Sequence, residues 1–307
     1  TYTLRHLHNA CVGLFLHTPF PSSEIFRTIP VRDELLRGML NAEIVGFHLF
    51  EYARHFLTCC KRMIGLDLES QLDLSGIIGV RDQKRLVRVI VSHAGIEPSV
   101  LASFDEGAEN QHSNVCEGPI SPRLPLPSPG SIDPPAHGAL VRQIMTTRSA
   151  GRKVLLGIDE VERLKGIPLK LLAFEQLLRN TSPTPAVTLV QVGVKARFFT
   201  PAVQADYEAV SEEIAEVRTR LDAEFPGSLI FTEVPTITLR RRLELWRLAD
   251  VAVILPIREG LNTCPLEAVF ARRTGPAGVV ILSEFASCSR VLNGALRCNP
   301  WATDEVV

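Results

Sequence analysis

The chain reads as an α/β protein built on parallel sheets, and three observations predict it. Apolar runs of strand length alternate with helical patterns along most of its 307 residues, and crossovers of that kind cover both faces of a parallel sheet. The alternation lapses once, where seven prolines fall between Gly118 and Gly138. With 46% hydrophobic and 22% charged residues, the chain can bury a core on each side of that lapse, so two doubly wound domains are expected.

In chain order, Cys11-Val12-Gly13-Leu14-Phe15-Leu16 is expected as a buried strand, broken by His17-Thr18-Pro19-Phe20-Pro21. Ser22 caps a short helix. Helical patterns follow at 31–40 and 50–64, with Glu43 to Phe47 as a strand between them and Leu86 to Val91 as another. Residues 1–117 therefore form a first Rossmann-like domain, an incomplete one. Residues 118–137 are a Pro-rich linker or insertion, since Ser121 to Gly130 can be neither helix nor central strand, and a plain spacer explains them better than an SH3-type ligand.

The second domain, 138–307, begins with the strand Val154 to Ile158. Pro168 suits a first helical position, and Ile167, Leu171, Phe174 and Leu178 share one helical face. Val187 to Val192 is the next strand. Val203, Tyr207, Val210, Ile214, Val217, Leu221 and Phe225 trace the core stripe of a long helix. Leu229 to Phe231, a helix near 238–249, the strand 251–255, a helix from about 264, the strand Val279 to Leu282 and a last turn complete it. No internal repeat is present.

Charge excludes some partners. There are 33 basic and 34 acidic residues, a formal net charge of -1, so no global field draws nucleic acid or an anionic membrane. Seven cysteines without a C-x-x-C pair argue against a disulfide framework and a structural zinc, and the expected setting is reduced and cytoplasmic. No metal or cofactor is implied. No apolar run reaches bilayer length, and the opening Thr1 to His6 lacks the regions of a signal peptide. It also lacks an initiating Met, so the chain reads as a fragment.

Neither G-x-G-x-x-G, G-x-x-x-x-G-K-[ST] nor G-x-S-x-G occurs, which lowers the case for dinucleotide dehydrogenases, P-loop NTPases and serine hydrolases. What remains is polar residues just past strand ends. The stretch Arg258-Glu259-Gly260-Leu261-Asn262-Thr263-Cys264-Pro265-Leu266-Glu267 follows the run Val251 to Leu255 and opens a helical pattern. Such a turn aims backbone N–H groups beyond the strand ends, where phosphates and sugar hydroxyls bind. Glu259 and Glu267 offer acceptors to hydroxyls, and Gly260 allows close approach. Lys165-Gly166 and Arg197 follow two other strands of the same sheet. All three turns then lie on one edge, a set that suits a diphosphate joined to a sugar, although each residue alone reads more readily as an ordinary solvated loop side chain.

Several of these motifs together resemble trehalose-6-phosphate synthases, particularly plant-type forms with a phosphatase-like domain behind the synthase. They are His17-Thr18-Pro19-Phe20-Pro21-Ser22-Ser23-Glu24-Ile25, Val45 to His48 with Tyr52 to Leu57, Leu169 to Glu175, the stretch 258–267, and Ser283-Glu284-Phe285 with Asn299-Pro300-Trp301. The resemblance spans nearly the whole chain except the Pro-rich segment. It implies a GT-B fold and transfer of glucose from UDP-glucose to glucose 6-phosphate with retention of configuration and without a protein nucleophile. It also implies roles. His17 contacts the donor glucose, and Lys165 and Arg197 lie near the diphosphate. Glu259 holds glucose hydroxyls, Glu267 grips the ribose, and Gly260, Leu261, Asn262 and Thr263 belong to the donor-binding stretch. A departing diphosphate and an oxocarbenium-like transition state need such cations and fixed hydrogen bonds.

Three departures bear on activity. Without gaps, Glu160 takes the place of the family's phosphate-binding Arg, replacing attraction by repulsion of about 4 kcal/mol at ~4 Å and an effective dielectric of ~20. A gapped alignment would give that role to Arg163, at the cost of deleting three residues from a strand-to-helix connection. Glu259 is one methylene longer than the family's Asp. The family's acceptor-binding residues lie upstream of Thr1, and its closing helices lie beyond Val307. The readings are therefore a glucosyltransferase, an impaired regulatory homologue that senses UDP-glucose or a sugar phosphate, and a scaffold. Cys59-Cys60 is expected as buried thiol, Cys264 as a small turn residue, and His48 and His55 as ordinary polar or cleft-edge residues.

Overall fold

The architecture is seen in a computed structural model that describes residue 3 and residues 10–70, 78–82, 85–104, 135–195 and 200–306. Two compact units emerge. The first comprises Thr1–Gly95 with Arg258–Asn262 and Glu284–Asn293, and the second Ile96–Ile257 with Thr263–Ser283 and Gly294–Val307.

The first unit carries β1 (Gly13–Leu16), β2 (Ile44–Phe47), β3 (Asp67–Ser70), β4 (Ile78–Asp82) and β5 (Arg85–Val91), in the order β1-β2-β5-β4-β3. Strands β1, β2 and β5 are parallel, with Leu16 opposite Phe47 and Phe47 opposite Val91. Strands β3 and β4 add an antiparallel pair that the sequence pattern did not reveal. Strand β1 is half-buried rather than buried, because it forms the edge of the sheet. The helix Phe50–Ile64 buries Tyr52, Ala53, Phe56, Leu57, Cys59 and Cys60, the stripe a helix of 3.6 residues per turn lays on one side. Phe20 anchors this core, with its ring 5.0 Å from that of Phe26, 5.5 Å from Phe56 and 5.9 Å from Phe47.

The second unit holds β6 (Lys153–Glu160), β7 (Val187–Val194), β8 (Leu229–Val234), β9 (Val251–Ile254), β10 (Val279–Ser283) and β11 (Leu296–Cys298). All are parallel, in the order β11-β10-β9-β6-β7-β8. The chain starts at β6, works outward to β8, then returns past β6 to β9. Ile167, Leu171, Phe174 and Leu178 are buried on the helix Ile167–Asn180, as their spacing predicts. In the helix Pro201–Glu224, Val210, Ile214, Val217 and Leu221 are buried, but Val203 is 37% exposed. That helix, 24 residues, runs about 36 Å, while the eight residues of β7 span about 26 Å. Residues 201–205 at its start are exposed, Val203 among them, and the stripe meets the core from Tyr207 onward.

Two helices, Pro98–Ser103 and Pro135–Ser149, and the short strand β11 were not anticipated. The second helix opens inside the stretch read as linker; residues 118–134 of that stretch lie outside the described residues.

Candidate functional site

In the second unit the strand order turns round between β6 and β9, and open parallel sheets bind ligands outside the carboxyl ends at such a point. The loop after β6 winds one 3-10 turn, Arg163–Lys165, and then reaches Gly166 at φ 69°, a left-handed conformation that glycine adopts without strain. The helix Ile167–Asn180 starts there, so its positive end faces the crevice. The loop after β9 crosses it. The Ile257 amide donates to the Leu164 carbonyl at 2.8 Å, and a Cβ on Gly166 would overlap the carbonyl oxygen of Leu255. Half-buried Lys165 is thus carried on a turn held by backbone from two strand ends.

The two candidates for the Arg role are separated by their surroundings. The Arg163 guanidinium lies 3.0 Å from Glu213 and 3.4 Å from Asp206, both on the helix Pro201–Glu224. Glu160 is the exposed last residue of β6, opposite Val194. Arg197 lies outside the described residues.

Glu267 is buried and held by Arg242 through two bonds of 2.8 and 2.9 Å and by the Thr263 hydroxyl at 2.8 Å. Burial disfavours the Arg242 charge, but the bond and attraction of Glu267 outweigh it and raise the pKa. Below the crevice, Lys170 is buried with its Nζ 2.5 Å from Asp159 Oδ2 and 3.1 Å from Gln191 Oε1, while Gln191 Nε2 donates to Asp159 at 2.9 Å. This closed triad ties β6, β7 and the helix carrying Lys170 into one block. Arg242 and Lys170 gave no sequence signal, since Arg and Lys on helices are exposed by default.

In the first unit His17 follows β1, His48 follows β2, and His93 stands two residues past β5. Parallel register brings them together, with ring centroids 5.1 Å apart for His17–His48 and 5.1 Å for His48–His93. His48 is no cleft-edge residue: it is 1% exposed. Burial, and then the nearby charges of His93 and His17, lower its pKa to about 4. His55 is bonded to the Phe20 carbonyl at 3.0 Å.

The segment Arg258–Asn262 lies beside 285–287 as a single parallel bridge, Glu259 to Ala286. The Ser287 amide donates to the Glu259 carbonyl at 3.1 Å, its hydroxyl donates to the Gly260 carbonyl, and His93 Nε2 lies 3.1 Å from that hydroxyl. Glu259 is buried, and Asn262 Nδ2 donates to its carboxylate at 2.6 Å. Gly260 is required for a reason the sequence did not disclose: a Cβ would overlap the His17 carbonyl oxygen, so the chain's own backbone makes the close approach. Leu261 and Thr263 are half-buried. Cys59, Cys60 and Cys288 are buried, and burial raises Cys59 to about 11, Cys288 to about 12 and Cys60 further, which makes them inert thiols. Cys264 is half-buried at the first position of the helix Cys264–Ala271. Among the described residues no group of three or more His, Cys, Asp or Glu is placed to hold a metal ion, and no helix is long and apolar enough to cross a membrane.

The chain is similar to known proteins. The chain is 34% identical over 326 residues to alpha,alpha-trehalose-phosphate synthase (UDP-forming) 5 of Arabidopsis thaliana, covering 100% of this chain and 34% of that protein. It spans about a third of the length of the curated relatives it matches. Its fold superposes on an alpha,alpha-trehalose-phosphate synthase (UDP-forming) from Burkholderia xenovorans in complex with glucose-6-phosphate, with TM-score 0.80, 23% identity, and coverage of 99% of this chain and 61% of that one. It likewise matches the E. coli trehalose-6-phosphate structure bound with UDP-2-fluoro glucose, with TM-score 0.77, 24% identity, and coverage of 99% and 60%. The fold is therefore of GT-B type, with two Rossmann-like units. Because residues 2–113 and 138–307 also match the family directly, the chain belongs to glycosyltransferase family 20.

Proposed function

We propose that this chain is part of a UDP-forming trehalose-6-phosphate synthase that transfers glucose from UDP-glucose to glucose 6-phosphate, in the cytoplasm and with a phosphatase-like domain downstream. The observation that carries this reading is the crossing of the β6 and β9 loops at the switch point, which sets Lys165 and a helix N-terminus at one crevice. In this role Lys165 and Arg197 neutralise the diphosphate, as a leaving group of that charge requires. Glu267 takes a ribose hydroxyl: a carboxylate has about four acceptor directions, and Arg242 and Thr263 use three. His17 and Glu259 hold glucose hydroxyls, with Gly260, Leu261, Asn262 and Thr263 shaping the donor-binding stretch. No nucleic-acid partner, metal or cofactor enters the reaction.

A second reading, an impaired homologue that binds the donor as a signal, is favoured by one observation. Glu160 stands at the crevice end of β6, and Arg163, the alternative cation, is engaged by Asp206 and Glu213. Calorimetry of the chain with UDP and UDP-glucose tests donor binding; no heat for either would overturn both readings. A coupled UDP-release assay on the full-length protein, with glucose 6-phosphate as acceptor, separates enzyme from sensor. Glu160→Arg should tighten UDP binding about tenfold or more, and an unchanged affinity would remove Glu160 from the crevice.

A further inference from the structure

We propose that His48 is a positioning residue that sets the tautomer of His17, so that His17 presents an Nε2–H donor to an oxygen acceptor on a hexose. The choice of hexose rests on the donor-binding reading above; the tautomer assignment does not.

The Ala94 residue fixes the order of donors and acceptors. Its N–H donates to His48 Nδ1 at 3.2 Å, and an amide nitrogen can only donate, so Nδ1 carries a lone pair. The neutral His48 ring then has its proton on Nε2. That Nε2 lies 3.0 Å from His17 Nδ1, so it donates, and His17 must accept at Nδ1. The proton of His17, an exposed residue, is left on Nε2, the nitrogen that does not face His48.

Three features hold this chain of bonds in place. The Ala94 carbonyl lies 2.8 Å from His93 Nδ1, a second contact to the residue whose N–H reads His48. The Phe15 ring packs against both histidines, with centroids 5.1 Å from His17 and 5.0 Å from His48. His48 itself is buried and resists a second proton, which would set one N–H against another. The consequence is a polarity: His17 offers hydrogen-bond donation outward and acceptance inward, which suits a sugar oxygen and not a group that only donates.

Glutamine can reproduce both bonds of His48, accepting from Ala94 through Oε1 and donating to His17 through Nε2, whereas leucine can make neither. Nitrogen-15 NMR of the imidazoles of the unmodified chain is expected to find His17 protonated at Nε2 with an acceptor signature at Nδ1. A proton on His17 Nδ1 would overturn the proposal. In calorimetry His48→Gln is expected to keep the affinity for UDP-glucose. His48→Leu should keep the affinity for UDP but lose about tenfold for UDP-glucose, one hydrogen bond's worth of discrimination. Equal losses in both variants with an unchanged His17 spectrum would refute the positioning role. If the unmodified chain bound neither nucleotide, the donor-binding reading and with it the hexose assignment would fall, while the NMR spectrum would still decide the tautomer.

Discussion

Removing the cation from the Asp159–Lys170–Gln191 triad should be among the most damaging single substitutions in the second unit. At 2.5 Å the ion pair attracts by about 7 kcal/mol at an effective dielectric of ~20, but burying two charges costs several kcal/mol each, so the pair as a whole contributes little. The asymmetry appears when one partner is deleted. Lys170→Met leaves the Asp159 carboxylate buried with one neutral donor, Gln191 Nε2, and should cost about 3–5 kcal/mol. Asp159→Asn strands the ammonium and should cost a similar amount. The double variant restores neutrality and should cost less than about 2 kcal/mol, a coupling of several kcal/mol. Equilibrium urea unfolding followed by tryptophan fluorescence suits the measurement, because Trp246 is 1% exposed and lies in the second unit. A cost below about 1 kcal/mol for Lys170→Met, or strictly additive single effects, would refute the claim that the triad is a closed buried unit.

Gly166→Ala combines a left-handed φ with overlap of Leu255 and should lower stability by about 2 kcal/mol or more, read as a fall in Tm. Arg242→Ala strips Glu267 of two of its bonds and should cost about 2–4 kcal/mol; Arg242→Lys should recover only part, since an ammonium cannot form the forked pair. For His48 the pKa falls from 6.5 in the unfolded chain to about 4 in the fold. The unfolded state therefore binds the extra proton between those values, and stability should drop by up to about 3 kcal/mol as pH falls through that window. His48→Gln should flatten the profile there in urea titrations at several pH values, and an unchanged slope would point to other groups.

The second sheet was legible because its strands are runs such as Val187 to Val192, buried on both faces, and because helices separate them at regular intervals. Strands β3 and β4 were not, since Asp67-Leu68-Glu69-Ser70 and Ile78-Gly79-Val80-Arg81-Asp82 mix charge and glycine and owe their conformation to pairing. The helix Pro135–Ser149 was masked by the prolines that precede it, and β11 is only three residues long. Lys165, in the turn after β6, and Glu267, in the first turn of the helix after β9, were singled out by their place after strands. The histidine group left a signal that was there to be read: three apolar strands, β1, β2 and β5, each reach a histidine within two residues of their ends, and parallel neighbours bring the residues just past those ends side by side. Partner identities such as Arg242 for Glu267 depend on tertiary packing, which spacing along one chain does not encode.

The bond from the Ile257 amide to Leu164 is made entirely by main chain, and so are the two surfaces that meet at Gly166. The outline of the crevice consequently survives exchange of the side chains around it. Exchange of a cation for a carboxylate at position 160 would therefore change the charge at the end of β6 without changing that shape. The same bond should leave the Ile257 amide among the slowest of the loop protons to exchange with deuterium, whether or not a nucleotide is present.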